Sequence, residues 1–371
     1  MTIAKIKVLH VARRFVSQSL EELNTGYDME HFKAMAKLLE KNSVIFQSKD
    51  KKRYEKKIGN LEIFLVKNLA AIFLATQKIG KQHDLIVAQN PFIAGFLAVI
   101  AGIIIKKPVI VSVHGYEFTV SKLQLLLKKF TCSKATIIRA NSKIVKDTIV
   151  SWGINSNKIV IIEDRVDCEH FSPNVNGIEI RDKLKIKNKM VLSVGSLIEI
   201  KGFDTLLESI SLVKEKIDGI KFVIVGEGIL KNHLSKMVEK LGVSENVIFT
   251  GNINYQNLPK YYAASDLFVH PSYVESMGRV ILEAQASGKP VVATNVGGIP
   301  EAVSKESAIL VPPKNSKELS NSIIKVLKNE NLIQDMSSKG RKLMLESFEF
   351  WKQEQKLIDF YESVVNKFKT N

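Results

Sequence analysis

Residues 265–301 read SDLFVHPSYVESMGRVILEAQASGKPVVATNVGGIPE, and they form the most informative segment of the chain. Its apolar run Leu267–His270 predicts a buried strand, and the following run Arg279–Ala286 predicts a helix. A second strand is predicted at Pro290–Ala293, just before a Gly-Gly turn. Strand, helix and strand in this order are typical of a parallel βαβ unit, whose ligands bind beyond the carboxyl ends of the strands.

The same alternation continues along the chain in both directions. Further strands are predicted at Ile6–Val11, Ser43–Gln47, Leu61–Val66, Leu85–Ala88, Val109–His114, Thr136–Ala140, Lys158–Ile162, Lys189–Val194, Phe222–Val225, Val247–Thr250 and Ile309–Val311. Further helices are predicted at Met29–Lys41, Ser142–Trp152, Gly202–Lys216, Leu230–Leu241 and Ser316–Lys328. This pattern predicts an α/β fold with parallel sheets covered on both faces.

The length of 371 residues predicts two domains rather than one. We place the first domain at residues 1–168 and the second at residues 169–348. A last helix, predicted at Glu349–Phe368, has no strand after it, and we expect residues 349–371 to pack back on the first domain. Two facing parallel sheets would place a ligand in the cleft between the domains.

The N-terminal sequence and the cysteine content indicate the cellular compartment of the protein. The N-terminus MTIAKIKVLHVA indicates a strand rather than a cleavable signal, and the two cysteines, Cys132 and Cys168, lack a metal-ligand spacing. We therefore expect a reducing, cytoplasmic location. The longest apolar run, FIAGFLAVIAGIII at Phe92–Ile105, has 14 residues and predicts a buried helix rather than a membrane span.

Positive charge is concentrated in the first half of the chain. The net charge is +16, of which residues 1–170 contribute +12 through 27 Lys and Arg against 15 Asp and Glu. Lys122, Lys128, Lys129 and Lys134 lie in or beside the apolar segment LQLLLKKF. These lysines favour either peripheral docking on an anionic membrane or ordinary solvated faces. Nucleic acid is not an expected partner, because no binding motif or interleaved aromatic residues accompany the charge.

Two glutamates flank the start of the predicted helix. Glu275 lies in the loop, and Glu283 lies one turn into the helix. The free N–H groups at a helix start form an anion site. That start consists of Ser276, Met277, Gly278 and Arg279. A phosphate bound there would have a carboxylate near each end, and carboxylates accept hydrogen bonds from sugar hydroxyls. A capped helix with two solvated glutamates is the alternative for this pair taken alone.

Strand, loop, carboxylate, helix, carboxylate and Gly-Gly turn together resemble the signature of the retaining glycosyltransferases of family four. The resemblance covers nearly the whole chain and implies the GT-B fold, with two Rossmann-like domains. It also implies transfer of a hexose-type sugar from a UDP- or GDP-sugar to a lipid-linked, polysaccharide or small-molecule acceptor, with retention of anomeric configuration. We expect no metal and no other cofactor, since the sequence has no Asp-x-Asp motif.

The resemblance also assigns roles to single residues. Glu275 would hold the donor sugar and Glu283 the ribose. The segment VGSLIEIKGF, residues 194–203, is similar to the family's phosphate loop, so that Lys201 would contact the diphosphate. The loop after the predicted strand in VIFTGNI would bring Ile253 to the nucleotide base. His114, which follows the strand in VSVHGYEF, would lie near the donor sugar.

The sequence departs from the family pattern at several of these positions. Ser196 stands where the phosphate loop has Arg, and Arg165 stands where the domain junction has Gly. Gly26 is a single glycine in the first loop, where relatives have a pair, and Met277 replaces a common Phe. We expect Arg165 either to supply the missing positive charge or to reshape the acceptor pocket.

Two other functions are compatible with the sequence, and a third is disfavoured. A sugar-nucleotide epimerase of the same fold and a catalytically weak sugar-nucleotide-binding subunit would both bind the same donor. A nicotinamide-dependent oxidoreductase is disfavoured, because HVARRFVSQSL follows the first strand where a Gly-x-Gly-x-x-Gly motif would be required.

Overall fold

A computed structural model describes residues 3–16, 27–48, 53–115 and 121–370. The chain separates into two compact units. The first unit consists of Met1–Glu163 and Trp351–Asn371, and the second of Asp164–Phe350.

The strands and helices alternate along most of the chain. The strands are β1 (Ala4–Val16), β2 (Leu39–Ser48), β3 (Tyr54–Ile58), β4 (Leu61–Val66), β5 (Leu85–Ala88), β6 (Val109–Val113), β7 (Ile137–Ala140), β8 (Ile159–Ile161), β9 (Met190–Val194), β10 (Lys221–Val225), β11 (Val247–Gly251), β12 (Leu267–His270), β13 (Val291–Thr294) and β14 (Ala308–Val311). The α-helices are α1 (Tyr27–Leu38), α2 (Leu69–Gly80), α3 (Ile93–Ile104), α4 (Lys122–Lys134), α5 (Lys143–Ser151), α6 (Ile178–Lys183), α7 (Phe203–Lys214), α8 (Lys231–Lys240), α9 (Leu258–Ala264), α10 (Arg279–Ala286), α11 (Ser316–Leu327), α12 (Glu330–Leu343) and α13 (Phe350–Thr370).

The first unit is built on an eight-stranded sheet in the order β3-β4-β2-β1-β5-β6-β7-β8. All neighbouring strands pair in parallel except β3 and β4, which are antiparallel. Strand β3 was not predicted from the sequence, since its residues YEKKI carry three charged side chains and none is buried. An edge strand needs no apolar face, and for that reason hydrophobic periodicity cannot reveal it.

The second unit is built on a six-stranded sheet in the order β11-β10-β9-β12-β13-β14. All of its strand pairs are parallel. The chain moves outward in one direction from β9 to β10 and β11, and in the other through β12 to β14. The carboxyl ends of β9 and β12 therefore flank a topological switch point, where open α/β sheets bind their ligands.

The predicted buried helix is present as α3, whose alanines and glycines face the interior. Ala94, Ala98 and Gly102 are buried against β5 and β6 residues such as Ile86 and Val109. Within the described ranges, no helix has both the length and the apolar character needed to cross a lipid bilayer.

Helix α4 corrects one expectation about the lysine cluster. Lys128 is fully buried, and its ammonium lies 4.4 Å from the centre of the Phe92 ring and 5.8 Å from that of Trp152. Lys128 therefore contributes to packing and cation–π contacts rather than to a basic surface. The outer face of α4 carries apolar side chains instead, with Leu123 77% and Leu126 64% exposed.

The last helix, α13, returns to the first unit after the chain has completed the second. Its residues Leu357, Tyr361 and Val365 are buried together with β-strand residues of the first unit. Nδ1 of His31, on α1, lies 2.7 Å from Oε1 of the buried Glu354. Apolar packing and this buried polar pair thus attach the C-terminal helix to the first unit.

We predict that Tyr361→Ala lowers the free energy of unfolding of the first unit by about 3–5 kcal/mol, because it removes a fully buried aromatic side chain. Trp152 and Trp351, the only tryptophans in the chain, belong to the first unit, so intrinsic fluorescence in a denaturant titration reports its unfolding. Tyr54→Ala, at a 38% exposed tyrosine of the same unit, is the matched control. Equal losses in the two variants would contradict the packing of α13.

Candidate functional site

Two loops meet at the switch point of the second unit. Residues 195–202 follow β9, residues 271–278 follow β12, and the N–H of Tyr273 donates to the carbonyl oxygen of Ile200 at 2.8 Å. Gly202 has φ of +64°, and a Cβ there would lie 2.1 Å from the carbonyl oxygen of Pro271. Only glycine allows this approach, so the Lys-Gly pair of the sequence fixes Lys201 beside the second loop.

The Gly-Gly turn after β13 packs against the same loop from the other side. A Cβ on Gly297 would lie 1.8 Å from the carbonyl oxygen of Glu275, and one on Gly298 would lie 1.9 Å from that of Ser276. The N–H of Gly298 donates to the Glu275 carbonyl at 3.2 Å. The backbone of Glu275 is therefore clamped between two other backbone segments.

The side chain of Glu275 is the centre of a small polar cluster. Its Oε2 lies 2.5 Å from Nζ of Lys201 and 3.0 Å from Nε2 of His270. The hydroxyl of Ser272 lies 2.9 Å from the same His270 nitrogen. Lys201 and Glu275 each keep 13% of their side chain exposed, so the cluster remains accessible at its edge.

His270 was not predicted as a site residue, because in the sequence it is only the last residue of a predicted strand. The available signal was a polar side chain at the carboxyl end of a buried strand, five residues before Glu275. That is the edge of a parallel sheet at which functional side chains collect.

Electrostatics keep Glu275 ionised. Burial alone would raise the pKa of Glu275, but the hydrogen bond with His270, the charge that His270 carries when it is protonated at low pH and the ammonium of Lys201 outweigh it and lower the pKa from 4.5 to about 2. Burial also lowers the pKa of His270, against the opposing influence of Glu275. A neutral imidazole can still donate one N–H to the carboxylate. Glu275 is therefore a charged hydrogen-bond acceptor at neutral pH.

The start of α10 lies immediately after this loop. Gly278 has φ of +84° and begins the helix, Met277 is fully buried and anchors it, and Arg279 is exposed. The first N–H groups of a helix have no partner within it, and the helix dipole places partial positive charge there. The N–H of Ser276 lies 3.3 Å from Oε1 of Glu275. The predicted anion site and Lys201 thus lie on either side of one carboxylate.

Glu283 is buried inside the second unit. Tyr262 donates its hydroxyl hydrogen to Oε2 of Glu283 at 2.9 Å, and Nε of Arg279 lies 3.6 Å from Oε1. Burial raises the pKa of Glu283, although the charge of Arg279 and the hydrogen bond from Tyr262 oppose it. Neither glutamate is a solvated surface residue, which removes the plain alternative of a capped helix with two solvated carboxylates.

The remaining predicted positions of the second unit are more dispersed. Ser196 is exposed in the loop after β9, and Ile253 is half-buried in the loop after β11, where it packs against the core. Arg165 is buried, and its guanidinium carbon lies 5.7 Å from the centre of the Phe350 ring. The sequence did not indicate this burial of a charged residue.

Two predicted residues belong to the first part of the chain. His114 directly follows β6 and is half-buried, at the carboxyl edge of the first unit's sheet. Gly26 lies outside the described residues.

No cluster of three or more His, Cys, Asp and Glu side chains in residues 3–16, 27–48, 53–115 and 121–370 has the arrangement of a metal site. That the protein acts without a metal remains a prediction.

Comparison with known proteins agrees with the fold. Residues 177–343 match the family model "Glycosyl transferases group 1", and residues 46–170 match the model "Glycosyltransferase Family 4". Both matched regions belong to glycosyltransferase domain families, and together they span most of the chain.

The similarity to individual proteins is moderate. A GDP-mannose-dependent alpha-(1-6)-phosphatidylinositol monomannoside mannosyltransferase of Mycobacterium tuberculosis is 30% identical over 205 residues, 53% of each chain. The capsular polysaccharide biosynthesis glycosyltransferase CapM of Staphylococcus aureus is 26% identical over 326 residues, 81% of this chain and 83% of CapM. The chain spans about half to two thirds of the length of most such curated relatives.

The fold is GT-B. The structure of HepE from Anabaena in complex with UDP-glucose superposes with a TM-score of 0.80, at 20% identity, over 96% of this chain and all of that one. The prediction of two Rossmann-like domains from the sequence is confirmed at the level of the fold.

We predict that Glu275 stabilises the protein in a pH-dependent manner. A carboxyl whose pKa falls from 4.5 to about 2 on folding contributes on the order of 3 kcal/mol at neutral pH, and this contribution is lost as the pH falls through that range. The stability difference between wild type and Glu275→Gln should therefore be largest above pH 5 and should shrink toward pH 3. Denaturant titrations from pH 6 to pH 3 measure it.

Glu306→Gln, at an exposed carboxylate of the same unit, is the control for general acid destabilisation. A stability difference at Glu275 that stays constant across this range would contradict the ionised, paired state.

Proposed function

We propose that this chain is a retaining glycosyltransferase that moves a hexose from a UDP- or GDP-sugar to an acceptor without a metal ion. The observation that carries the proposal is the juxtaposition, at a sheet switch point, of an ionised Glu275, the ammonium of Lys201 and the start of α10. The Lys201 ammonium and the helix start can bind a diphosphate, and the Glu275 carboxylate can accept hydrogen bonds from sugar hydroxyls.

The diphosphate would bind to the N–H groups from Met277 to Arg279 and to Lys201. A lysine ammonium has three donors, so Lys201 can bind a phosphate oxygen while it keeps its contact with Glu275. Since Ser196 contributes no charge, the helix start and Lys201 would stabilise most of the negative charge that develops on the leaving group.

The donor sugar and the ribose would bind on opposite sides of that diphosphate. Glu275 would accept hydrogen bonds from sugar hydroxyls, and its low pKa keeps it an acceptor across the physiological range. Glu283 would accept from the ribose, held in place by Tyr262. By the family resemblance, Ile253 would lie near the base and His114 near the sugar.

In the proposed reaction, the bond between the sugar C1 and the diphosphate oxygen breaks, and the acceptor oxygen bonds to C1 on the same face. The acceptor proton passes to the leaving phosphate oxygen. Glu275 holds the sugar and is not the nucleophile. The names of the relatives favour this transfer over the epimerase alternative.

Nucleotide sugars should raise the melting temperature of the protein, and UDP-glucose and GDP-mannose are the first two to screen.

For the donor identified, we predict that Lys201→Ala weakens binding about 10- to 100-fold, as expected for one charge-assisted hydrogen bond. Calorimetry measures the affinity. Lys305→Ala, at an exposed lysine of the same unit, should bind like wild type.

In the same assay series, Glu275→Gln should bind nucleoside diphosphate but lose transfer, and NMR of the wild-type product should show the donor's anomeric configuration. Unchanged donor affinity in Lys201→Ala, or wild-type turnover in Glu275→Gln, would contradict the proposed roles.

The acceptor is proposed to lie at an anionic membrane surface. Leu123, Leu126 and Phe130 are 77%, 64% and 40% exposed on one face of α4. Lys122 and Lys134 are exposed near the ends of the same helix. Exposed apolar side chains with flanking lysines are typical of peripheral membrane contacts, and a capsular polysaccharide enzyme and a phosphatidylinositol mannoside enzyme are among the relatives.

We predict that the triple variant Leu123→Ser, Leu126→Ser, Phe130→Ser loses cosedimentation with phosphatidylglycerol vesicles. Wild-type binding should weaken as salt increases, because surface charge is screened. The control is Leu212→Ser, Ile229→Ser, which changes exposed apolar residues of the second unit. Vesicle binding by the triple variant equal to that of wild type would contradict membrane docking through α4. Wild-type binding that does not change with salt concentration or lipid charge would also contradict it.

A further inference from the structure

A cavity of about 570 Å³ lies in the first unit, between β4 and α2, and contains none of the residues assigned above to sugar transfer. Its size is within the range of small-molecule sites. We call it the β4–α2 groove.

The shape of the groove follows from the sequence of its two walls. Side chains alternate along β4, so that Leu61, Ile63 and Leu65 are buried in the core shared with α1 while Phe64 faces the groove. On α2, the groove face carries the small residues Ala71 and Ala75, one helical turn apart. Small side chains opposite a sheet leave a channel with an apolar lining.

A chain of polar contacts beside the groove joins the end of α2 to β2 and β4. The Nδ1 of His83 lies 2.8 Å from the carbonyl oxygen of Ile79 at the end of α2, and its Nε2 lies 2.9 Å from the hydroxyl of Ser43 on β2. That hydroxyl lies 3.2 Å from the carboxylate of Glu62 on β4. These contacts join the helix to both strands, so the groove is preformed and needs little ordering on binding.

The rim of the groove carries excess positive charge. Two cations on it are matched by carboxylates: Lys41 with Glu62 at 2.9 Å and Arg53 with Glu55 at 2.6 Å. Lys67 and Lys78 also line the rim, and neither forms an ion pair with another residue in the part of the chain that the structure describes. The groove therefore combines an apolar channel with two ammonium groups that form no ion pair. It complements a ligand that has an apolar chain and an anionic group.

We propose that the β4–α2 groove binds a single-chain anionic amphiphile, with its alkyl chain against Phe64 and Ala75 and its anionic group at Lys67, just before the start of α2. This site is independent of the transfer reaction proposed above. It would bind its ligand equally well in a protein that transfers no sugar.

Calorimetry with decyl phosphate below its micellar concentration tests the proposal, in the background of the α4 triple serine variant, so that the exposed face of α4 cannot bind the probe. Decyl phosphate should bind at least tenfold more tightly than inorganic phosphate or decyl maltoside, which lack the chain and the charge respectively.

Two variants block the groove in different ways. Ala75→Trp fills the channel, and Leu74→Asp places a negative charge at a 62% exposed rim position that the core does not need. Both should reduce decyl phosphate affinity at least tenfold, as should the double variant Lys67→Gln, Lys78→Gln. Lys81→Gln, at an exposed lysine just past α2 that does not line the groove, should leave the affinity unchanged.

Decyl phosphate binding that is absent in the background protein, or that Leu74→Asp and the double glutamine variant leave unchanged, would overturn the proposal. Equal affinity for decyl maltoside would overturn the role of the lysines. Leu74→Asp keeps the test decisive if Ala75→Trp fails to fold.

Discussion

Close contact between backbone segments is the constraint on which the second unit's site depends. The loops after β9 and β12 and the turn after β13 touch one another where a Cβ atom would fall about 2 Å from a carbonyl oxygen. Gly202 and Gly297 permit these contacts, and both have positive φ. Because the contacts join main chains, they fix the positions of Lys201 and Glu275 more firmly than side-chain packing alone would. The parallel sheet beneath supplies the common edge from which these segments emerge.

This constraint explains how a charged carboxylate can be held in a mostly buried position. Removing a carboxylate from water is costly unless it is paired and hydrogen-bonded. Beside Glu275 lie a lysine from the loop after β9, a histidine from the end of β12 and a backbone N–H of its own loop. The result is a rigid, ionised acceptor next to a helix start that attracts anions. A diphosphate and a sugar linked to each other are complementary to that pair of sites.

Much of the fold could be predicted from the sequence, because buried parallel strands are short apolar runs between amphipathic helices. The strands at Leu85–Ala88 and Leu267–His270 were predicted with their observed ends. Strand β3 was missed, since an exposed edge has no apolar periodicity. The burial of Lys128 was also missed, because its aromatic partners Phe92 and Trp152 are distant in sequence and only the folded chain brings them to it.

Less of the site could be predicted, for a similar reason. The sequence and its family resemblance indicated Glu275, Glu283 and Lys201, but not that Lys201 and Glu275 form an ion pair or that His270 joins them. Those contacts depend on how loops from different strands pack. The interior position of Glu283 depends on Tyr262, which lies on a separate helix, α9. Spacing along the chain identifies candidates, whereas pairing requires the three-dimensional arrangement.

A crystal structure with the intact nucleotide-sugar donor bound would show whether the start of α10 and Lys201 bind the diphosphate. We predict diphosphate oxygens about 2.7–3.1 Å from the N–H groups that begin α10 and from Nζ of Lys201, with a sugar hydroxyl donating to Glu275. A donor whose diphosphate lies away from both groups, with Glu275 still paired only to Lys201 and His270, would contradict it.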